Sequence, residues 1–229
     1  MSFVVPAPSQ VSVPVVGGDD LFPVHRIYCV GRNYAAHARE MGHDPDREPP
    51  FFFTKPADAV VMSGAELDYP LATSDLHHEI ELVVAIGKGG VEIAEDDALG
   101  HVYGYAVGLD MTRRDLQGEA KKLGRPWDTG KAFDEAAPIG AIQPAAAIGH
   151  PTQGRIWLNV NGSARQDSDL THLIWNVPET IAHLSRLFRL QPGDLIYTGT
   201  PEGVAAVGPG DTLEGGIDGI GELSVSYRA

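Results

Sequence analysis

Two glutamates and an aspartate form the pattern in this sequence with the clearest chemical meaning. Glu79 and Glu81 stand two residues apart, and Asp110 closes a Gly-Leu-Asp segment further along the chain. Side chains two residues apart on a β-strand share a face, so the two glutamates would point the same way. Two carboxylates directed into a covered layer repel each other and are costly to desolvate unless a cation lies between them. With Asp110 as a third oxygen ligand, they form the set that Mg²⁺ or Mn²⁺ prefers.

An alternative is that Glu79 and Glu81 lie on the solvent face of an edge strand, and that Asp110 only caps a turn. The segment that follows weakens this alternative. Apolar residues alternate through residues 80–86, which is strand periodicity, and from Leu82 onward both faces are apolar. Such a strand is typically covered on both sides. Spacing alone leaves both interpretations open.

A histidine and a glutamate form a second candidate pair. A short helix is predicted over residues 34–41, with Asn33 as its N-cap and Gly42 at its C′ position. His37 and Glu40 would share one face of it. A carboxylate that accepts from one imidazole nitrogen leaves the other free to act as a base. A solvated surface helix with an incidental ion pair would show the same spacing.

Further polar residues lie in segments predicted as helix or loop. A helix predicted over residues 110–122 carries two arginines and an amide, of which Arg113 is expected to be exposed, as is Asp115. Lys131 lies in a glycine-bearing segment, residues 124–140, that is predicted to be mostly loop, where a surface lysine would be ordinary. Thr200 lies in a strand-to-loop turn, residues 198–203, whose hydroxyls and amides are able to bind an anion.

Short strands predominate among the elements that must position these residues. Residues 1–24 predict short edge strands. Apolar runs bounded by turn residues predict further strands at 27–30, 80–86, 156–160, 195–197 and 223–227. A hairpin is predicted at Asn161-Gly162. The clearest helix runs over residues 178–190, with a predicted apolar stripe of Ile181, Leu184, Leu187 and Phe188. These elements predict a β-dominated mixed fold.

The composition sets the class of protein. The chain has 229 residues and a mass of 24.4 kDa, with 43% hydrophobic and 21% charged residues, which suits one globular domain or one domain with a small appendage. A net charge of −14 disfavours nucleic acid and anionic membrane surfaces as partners. The single cysteine, Cys29, excludes an intrachain disulfide and a thiolate metal cluster. The sequence shows no signal peptide and no run of transmembrane length, so a cytoplasmic protein is expected.

Six motifs in a fixed order resemble the fumarylacetoacetate hydrolase family, in its short form. They are CVGRNY (29–34), FTKP (53–56), HHEIE (77–81), GLDMTRRD (108–115), GKAF (130–133) and TGTPEGV (198–204). The resemblance spans residues 23–227. A narrower resemblance, carried by residues 31–46 and the EPPFFF run at 48–53, is to bacterial members that hydrolyse fumarylpyruvate in gentisate breakdown.

The resemblance implies a role for each candidate residue. It implies that Glu79, Glu81 and Asp110 hold one Mg²⁺ or Mn²⁺. His37 and Glu40 match the family's water-activating pair. Lys131 and Gln117 match the family's positions that stabilise an oxyanion. Contacts to substrate carboxylates or to cation-held oxygens are implied for Lys55, Arg114 and Thr200. Arg32 is a weaker candidate for the same role.

The resemblance also implies the architecture and the reaction. The expected fold is an α+β, β-dominated sandwich or roll, with residues 1–70 as a small N-terminal segment bearing a lid helix and residues 71–229 as the metal-binding catalytic domain. The expected reaction is hydrolysis of the C–C bond of an acylpyruvate, a small anionic diketo acid, by a homodimer. Decarboxylation of oxaloacetate or another 2-oxo acid is the alternative within the family. An oxygen-activating iron site that uses His77 or His78 with Glu79 is a rival from another class.

Overall fold

The computed structural model describes residues 3–35 and 48–229. Its α-helices are α1 (Arg114–Leu123), α2 (Asp128–Lys131), α3 (Ala145–Ile148) and α4 (Val177–Leu187). Its strands are β1 (Ser12–Pro14), β2 (Leu21–Pro23), β3 (Ile27–Gly31), β4 (Phe51–Lys55), β5 (Val60–Met62), β6 (Ala65–Leu67), β7 (Leu76–His77), β8 (Ile80–Ile86), β9 (Val102–Leu109), β10 (Thr112–Arg113), β11 (Ala137–Ile139), β12 (Gln143–Pro144), β13 (Arg155–Val160), β14 (Ser163–Asp169), β15 (Leu195–Tyr197), β16 (Ala206–Val207), β17 (Thr212–Ile217) and β18 (Gly221–Tyr227). Short 3₁₀ turns cover Ala57–Ala59, Glu95–His101 and Leu170–His172.

The largest sheet is built around strand β8. Its strand order is β4-β3-β15-β8-β9-β11-β5, with β12 paired to β9. Strand β15 runs parallel to β3 and antiparallel to β8, and it lies between them. Every residue of β8 is buried. This confirms the prediction of a strand covered on both faces, because an apolar run of this kind is stable only when both faces are packed.

A second sheet, β14-β13-β17-β18-β6, packs against the first. At Gly215 of β17, a Cβ atom would meet the Cδ1 atom of Ile80 at 2.8 Å, so β17 lies directly against the Ile80 side chain of β8. Glycine is needed there because any side chain would separate the two sheets. The predicted β-dominated α+β sandwich is confirmed.

A small third sheet, β10-β7-β16, adjoins the carboxylate segment. Strand β7 ends two residues before Glu79, and β10 begins two residues after Asp110. Thr112 pairs with His77 across these strands. The backbone on both sides of the carboxylates is therefore held by sheet hydrogen bonds, which restricts the directions in which the side chains can point.

Several predicted elements differ from those observed. The helix predicted from residue 110 begins at Arg114, because Thr112–Arg113 forms β10 instead. Lys131 ends the one-turn helix α2, whereas a loop was the prediction. The helix predicted to reach residue 190 ends at Leu187, and Leu187 and Phe188 are exposed, so the apolar stripe stops at Leu184.

Other local predictions are confirmed. Asn161 and Gly162 both have positive φ, 52° and 72°, as the two-residue turn between β13 and β14 requires. Helix α4 carries Pro178 in its first turn. Asn176 caps it by accepting from the Glu179 amide at 2.9 Å, while the Glu179 carboxylate accepts from the Asn176 amide at 3.0 Å.

The proposed division at residue 70 stays a prediction. Strands β3, β4 and β5 precede that point, and they share the largest sheet with β8 and β9. The predicted lid helix falls mainly on residues 36–47, which lie outside the described residues. None of the helices in residues 3–35 and 48–229 has the length and apolar character that crossing a bilayer requires.

Candidate active site

Three buried carboxylates meet at one end of strands β8 and β9. Glu79 immediately precedes β8 and Asp110 immediately follows β9, and the amide of Asp110 donates to the carbonyl of Glu79 at 2.9 Å. Glu81 lies within β8, two residues after Glu79. The three side chains are 5%, 1% and 1% exposed, and each offers an oxygen within 4.8 Å of the others. The alternative of a solvent-facing edge strand is therefore wrong.

Three cationic side chains surround these carboxylates. The Lys131 Nζ atom lies 2.7 Å from Glu79 Oε2 and 2.7 Å from Asp110 Oδ2. A guanidinium nitrogen of Arg114 donates to Glu79 Oε1 at 2.5 Å. The Lys55 Nζ atom lies 2.9 Å from Asp110 Oδ1. Pairing of this kind offsets part of the cost of removing charged groups from water.

Lys131 stays charged although it is buried. Burial acts to lower the pKa of its ammonium group, but the adjacent Asp110 and Glu79 carboxylates outweigh burial and raise that pKa. The ordinary alternative of a surface lysine is wrong, because only 3% of Lys131 is exposed.

Among the described residues, Glu81 is the one carboxylate of the three that forms no ion pair. Its Oε2 atom accepts from the Gly199 amide at 2.8 Å, and none of the ion pairs among residues 3–35 and 48–229 includes it. Burial raises its pKa well above the ordinary carboxyl value, and repulsion from Asp110 and Glu79 raises it further. A divalent cation among the three carboxylates would supply the missing positive charge, so these residues fit an Mg²⁺ or Mn²⁺ site.

Lys55 binds Asp110 without itself lining the pocket. Its ammonium group donates to the carbonyl of Met111 at 3.0 Å and to the carbonyl of Lys131, in addition to its ion pair with Asp110. All three of its donors are thus engaged, and only 2% of the residue is exposed. Its predicted contact with substrate stays a prediction, and the geometry gives it the role of positioning Asp110.

Most of the predicted site residues line one pocket, and two lie outside the described residues. The pocket receives Arg32, Glu79, Glu81, Asp110, Arg114, Gln117, Lys131 and Thr200. His37 and Glu40 fall within residues 36–47, so their predicted role is not described by the structure. The side-chain oxygen of Gln117 accepts from Arg114 at 2.8 Å, which leaves its amide NH₂ as a donor.

Gln166, which the sequence did not single out, organises the wall of the site. Its amide group donates to Thr200 Oγ1 at 2.8 Å, and its oxygen accepts from the Ile80 amide at 3.1 Å. It therefore links the turn that bears Thr200 to the strand that bears Glu81. A lone glutamine in a polar strand carries no sequence signal of this kind, because only its complete burial distinguishes it.

Lys121 also lines the pocket, and the sequence spacing of this residue could have indicated its position. Arg114, Gln117 and Lys121 are spaced i, i+3 and i+7 along α1, so they share one face of the helix. Arg113, in contrast, belongs to β10, where its guanidinium stacks on Phe133 with 4.3 Å to the ring centroid. Asp115 accepts from the Thr73 hydroxyl at 2.7 Å.

The rival iron site does not match the geometry. His78 Nδ1 lies 2.9 Å from the oxygen of Gln166 and His77 Nε2 lies 2.9 Å from Asp75, so one nitrogen of each imidazole contacts a residue outside the carboxylate group. Burial lowers the pKa of His78 to about 4, so it is neutral at physiological pH. Within residues 3–35 and 48–229, the one group with metal-ligand geometry contains carboxylates alone.

Gly199 allows the site to close, which predicts a clear effect of its substitution. Its φ is +99°, and a Cβ atom would lie 2.6 Å from the Cβ of Asn33. We expect Gly199→Ala to lower the free energy of unfolding by about 2–3 kcal/mol through strain and to displace the amide that binds Glu81. Urea denaturation measures the effect. Gly118→Ala is the control, since nothing lies within 4 Å of that position, and an equal loss in both variants would contradict the explanation.

Comparison with known proteins agrees with this site. Residues 26–226 match the family described as fumarylacetoacetate (FAA) hydrolase C-terminal. A fumarylpyruvate hydrolase from Ralstonia sp. is 52% identical over 188 residues, covering 81% of this chain and 97% of that protein. The mitochondrial oxaloacetate tautomerase of Rattus norvegicus is 44% identical over 194 residues, covering 85% of this chain and 87% of that protein.

A solved structure extends the likeness to the whole chain. The fumarylpyruvate hydrolase from Pseudomonas aeruginosa, solved in complex with Mn²⁺ and pyruvate, superposes with a TM-score of 0.97. It is 58% identical, and the match covers 99% of each chain. The motif order, the sandwich, the buried carboxylates and these matches lead to one conclusion: the chain belongs to the fumarylacetoacetate hydrolase family.

Proposed function

We propose that the protein is a divalent-cation-dependent hydrolase that cleaves the C–C bond of an acylpyruvate, with fumarylpyruvate as the substrate and fumarate and pyruvate as the products. The observation that carries this proposal is the buried group of Glu79, Glu81 and Asp110 in a pocket whose lining also includes four cationic side chains. Support comes from two relatives named fumarylpyruvate hydrolase, one of which holds Mn²⁺ and pyruvate.

Each part of the pocket has a place in this reaction. Glu79, Glu81 and Asp110 would hold one Mg²⁺ or Mn²⁺, which when bound supplies Lewis-acid polarisation of the 2-oxo acid. Arg114 lies beside the same carboxylates and offers a guanidinium for a substrate carboxylate. Thr200, fixed by Gln166, offers a hydroxyl to the same end of the substrate.

The hydrolytic step needs a base and an oxyanion site. On the family resemblance, we assign His37 as the base that takes a proton from water, with Glu40 orienting its ring. The water oxygen adds to the acyl carbonyl carbon, and Lys131 and Gln117 donate to the oxyanion that forms. The bond to the pyruvate methylene then breaks, its electron pair stays with pyruvate, and the proton taken up by His37 is transferred to that carbon to complete the methyl group. Loss of one oxyanion donor typically costs about 3–4 kcal/mol of barrier.

A cation-dependence assay tests the proposal. Chelator-stripped protein is supplied with fumarylpyruvate, acetylpyruvate and oxaloacetate in turn, without cation and with added Mg²⁺ or Mn²⁺, and loss of the enol absorbance reports cleavage. We expect fumarylpyruvate to disappear only when cation is present, with fumarate and pyruvate formed in equal amounts. Cleavage in the chelator, or no cleavage of any acylpyruvate, would contradict the proposal.

The alternative acts on oxaloacetate or another 2-oxo acid, as a decarboxylase. The relation to an oxaloacetate tautomerase favours keeping it in the same assay. Decarboxylation needs the cation and stabilisation of an enolate but no attacking water. We therefore expect His37→Ala to abolish hydrolysis and to spare any decarboxylation. A place in gentisate breakdown, a cytoplasmic location and a homodimeric state stay predictions.

A further inference from the structure

The mouth of the pocket carries two cations that the mechanism above does not require. Lys121 and Arg32 line the same pocket as the carboxylates. Among the hydrogen bonds and ion pairs within residues 3–35 and 48–229, none uses either head group. In a protein with a net charge of −14, two cationic groups at one opening that form no ion pair with any described residue create an unusual local potential.

Aromatic rings hold both cations in place. The Lys121 Nζ atom lies 4.8 Å from the centroid of the Trp127 ring, and the Arg32 guanidinium carbon lies 5.3 Å from the centroid of the Phe51 ring. The two rings contact each other edge to face, with centroids 5.5 Å apart. A cation on a ring face keeps N–H donors directed away from the ring, where an anion is able to accept them.

The position of Lys121 fits the second end of a dianion. It lies two turns beyond Arg114 on the pocket-facing side of α1, about 10 Å further along the helix axis. Arg114 binds Glu79 at the carboxylate end of the pocket. A substrate with a carboxylate at each end of a short carbon chain would therefore extend from the Glu79 end of the pocket toward Lys121.

The neighbouring cationic side chains make the surroundings of Lys121 favourable for binding an anion. Partial burial of the ammonium, together with repulsion from Arg114, Arg32 and Lys131, lowers its pKa to about 8, while attraction to Glu79 acts in the opposite direction. A bound carboxylate would relieve this repulsion.

We propose that Lys121 and Arg32, seated on Trp127 and Phe51, form a carboxylate subsite that selects acylpyruvates with a second carboxylate at the end of the acyl group. This inference rests on the proposed function and deepens it by assigning the residues that select the distal carboxylate of the substrate. Lys121 is in this account a specificity-determining residue, because it contacts the part of the substrate that does not react.

Paired substrates test the subsite through a ratio. For wild type, Lys121→Met and Lys121→Arg, kcat/KM is measured with fumarylpyruvate, which has the distal carboxylate, and with acetylpyruvate, which lacks it. We expect Lys121→Met to lower the fumarylpyruvate-to-acetylpyruvate ratio at least tenfold, chiefly through KM, and Lys121→Arg to restore most of it. The matched control is Lys122→Met, the exposed neighbour on α1, which should leave the ratio as it is.

A binding measurement separates this inference from the proposed function. Calorimetric titration of the chelator-stripped protein with fumarate should show at least tenfold weaker binding in Lys121→Met than in wild type and in Lys122→Met. If the wild type cleaves no acylpyruvate but fumarate binding still depends on Lys121, the proposed function fails and the subsite stands. If acylpyruvates are cleaved, and neither the ratio nor fumarate binding depends on Lys121, the subsite is overturned while the function stands.

Discussion

The Glu81→Gln protein is expected to lose divalent-cation binding and catalysis while its cation-free fold becomes no less stable than the wild type. The two effects have one cause. Glu81 is a buried carboxylate near two others, and within the described chain no side-chain cation pairs with it. Glutamine keeps the shape and still accepts from the Gly199 amide, but it brings no charge. The cation then loses one of three anionic ligands, and its affinity should fall by more than the 10–100-fold typical of outer-shell changes, with activity falling in step.

The pH dependence of the free energy of unfolding provides a second test of this prediction. The raised pKa means that the folded, cation-free wild type holds the Glu81 proton more tightly than the unfolded chain does. Its free energy of unfolding therefore falls as pH rises from the ordinary carboxyl value of about 4.3 through the raised pKa. Glu81→Gln has no proton to lose, so its profile over that window should be flatter.

Calorimetry and thermal unfolding in chelator check both parts. Mn²⁺ titration measures cation affinity, and melting curves across pH measure stability. Glu222→Gln, on an exposed position of β18, is the matched control and should behave as the wild type. Mn²⁺ binding of wild-type strength in Glu81→Gln would show that the carboxylates do not form the cation site.

Lys131→Met is expected to have the largest effect on stability of any single change in the site. Its ammonium bridges Glu79 and Asp110, each at 2.7 Å, inside a layer that excludes water. Breaking a buried ion pair from one side typically costs about 3–5 kcal/mol, because the charge that remains is uncompensated. For a domain of this size, that corresponds to a melting temperature lower by about 6–20 °C. Hydrolysis should be lost as well, since Lys131 is the proposed oxyanion donor.

Added cation should show whether the lower melting temperature of Lys131→Met comes from the uncompensated charge of Glu79 and Asp110. A divalent ion binds the same carboxylates, so Mn²⁺ should raise the melting temperature of Lys131→Met by more than it raises that of the wild type. Lys122→Met, which changes an exposed lysine, should leave both the melting temperature and the Mn²⁺ response at wild-type values. If Lys131→Met melts as the wild type does in chelator, the ammonium does not balance the two acids.

The three carboxylates of the candidate cation site could be predicted from the sequence because the pattern that identifies them lies in short segments of the chain. Two glutamates on one strand face, followed by an apolar run, already restrict where the carboxylates point, and the structure places Asp110 beside them through the pairing of β8 with β9. The motif order extended the prediction to Gln117, Lys131 and Thr200, which line the same pocket. Turn residues likewise specified the hairpin at Asn161-Gly162.

The residues that support the site could not be predicted in the same way. Gln166 was not singled out, and Lys55 was expected to contact substrate rather than to position Asp110. Both residues act through partners far away in the sequence, so their roles depend on how the sheets pack. Lys121 is an exception, because its helical spacing from Arg114 was visible, yet the helix was predicted from residue 110 and no pocket face had been assigned. The predicted start of α1 was wrong for a similar reason, because the pairing of Thr112 with His77, which forms β10, is a non-local contact.

The position of β15 has a consequence for how the protein is made. This strand, at Leu195–Tyr197, fills the gap between β3 and β8, and Thr198 just beyond it donates to the carbonyl of Leu82. Until that late segment leaves the ribosome, the apolar strands β3 and β8 each present an unpaired edge, and such edges are templates for aggregation. We expect nascent chains that end before residue 195 to depend on chaperones, and folding to be slow because its decisive contact joins distant parts of the chain.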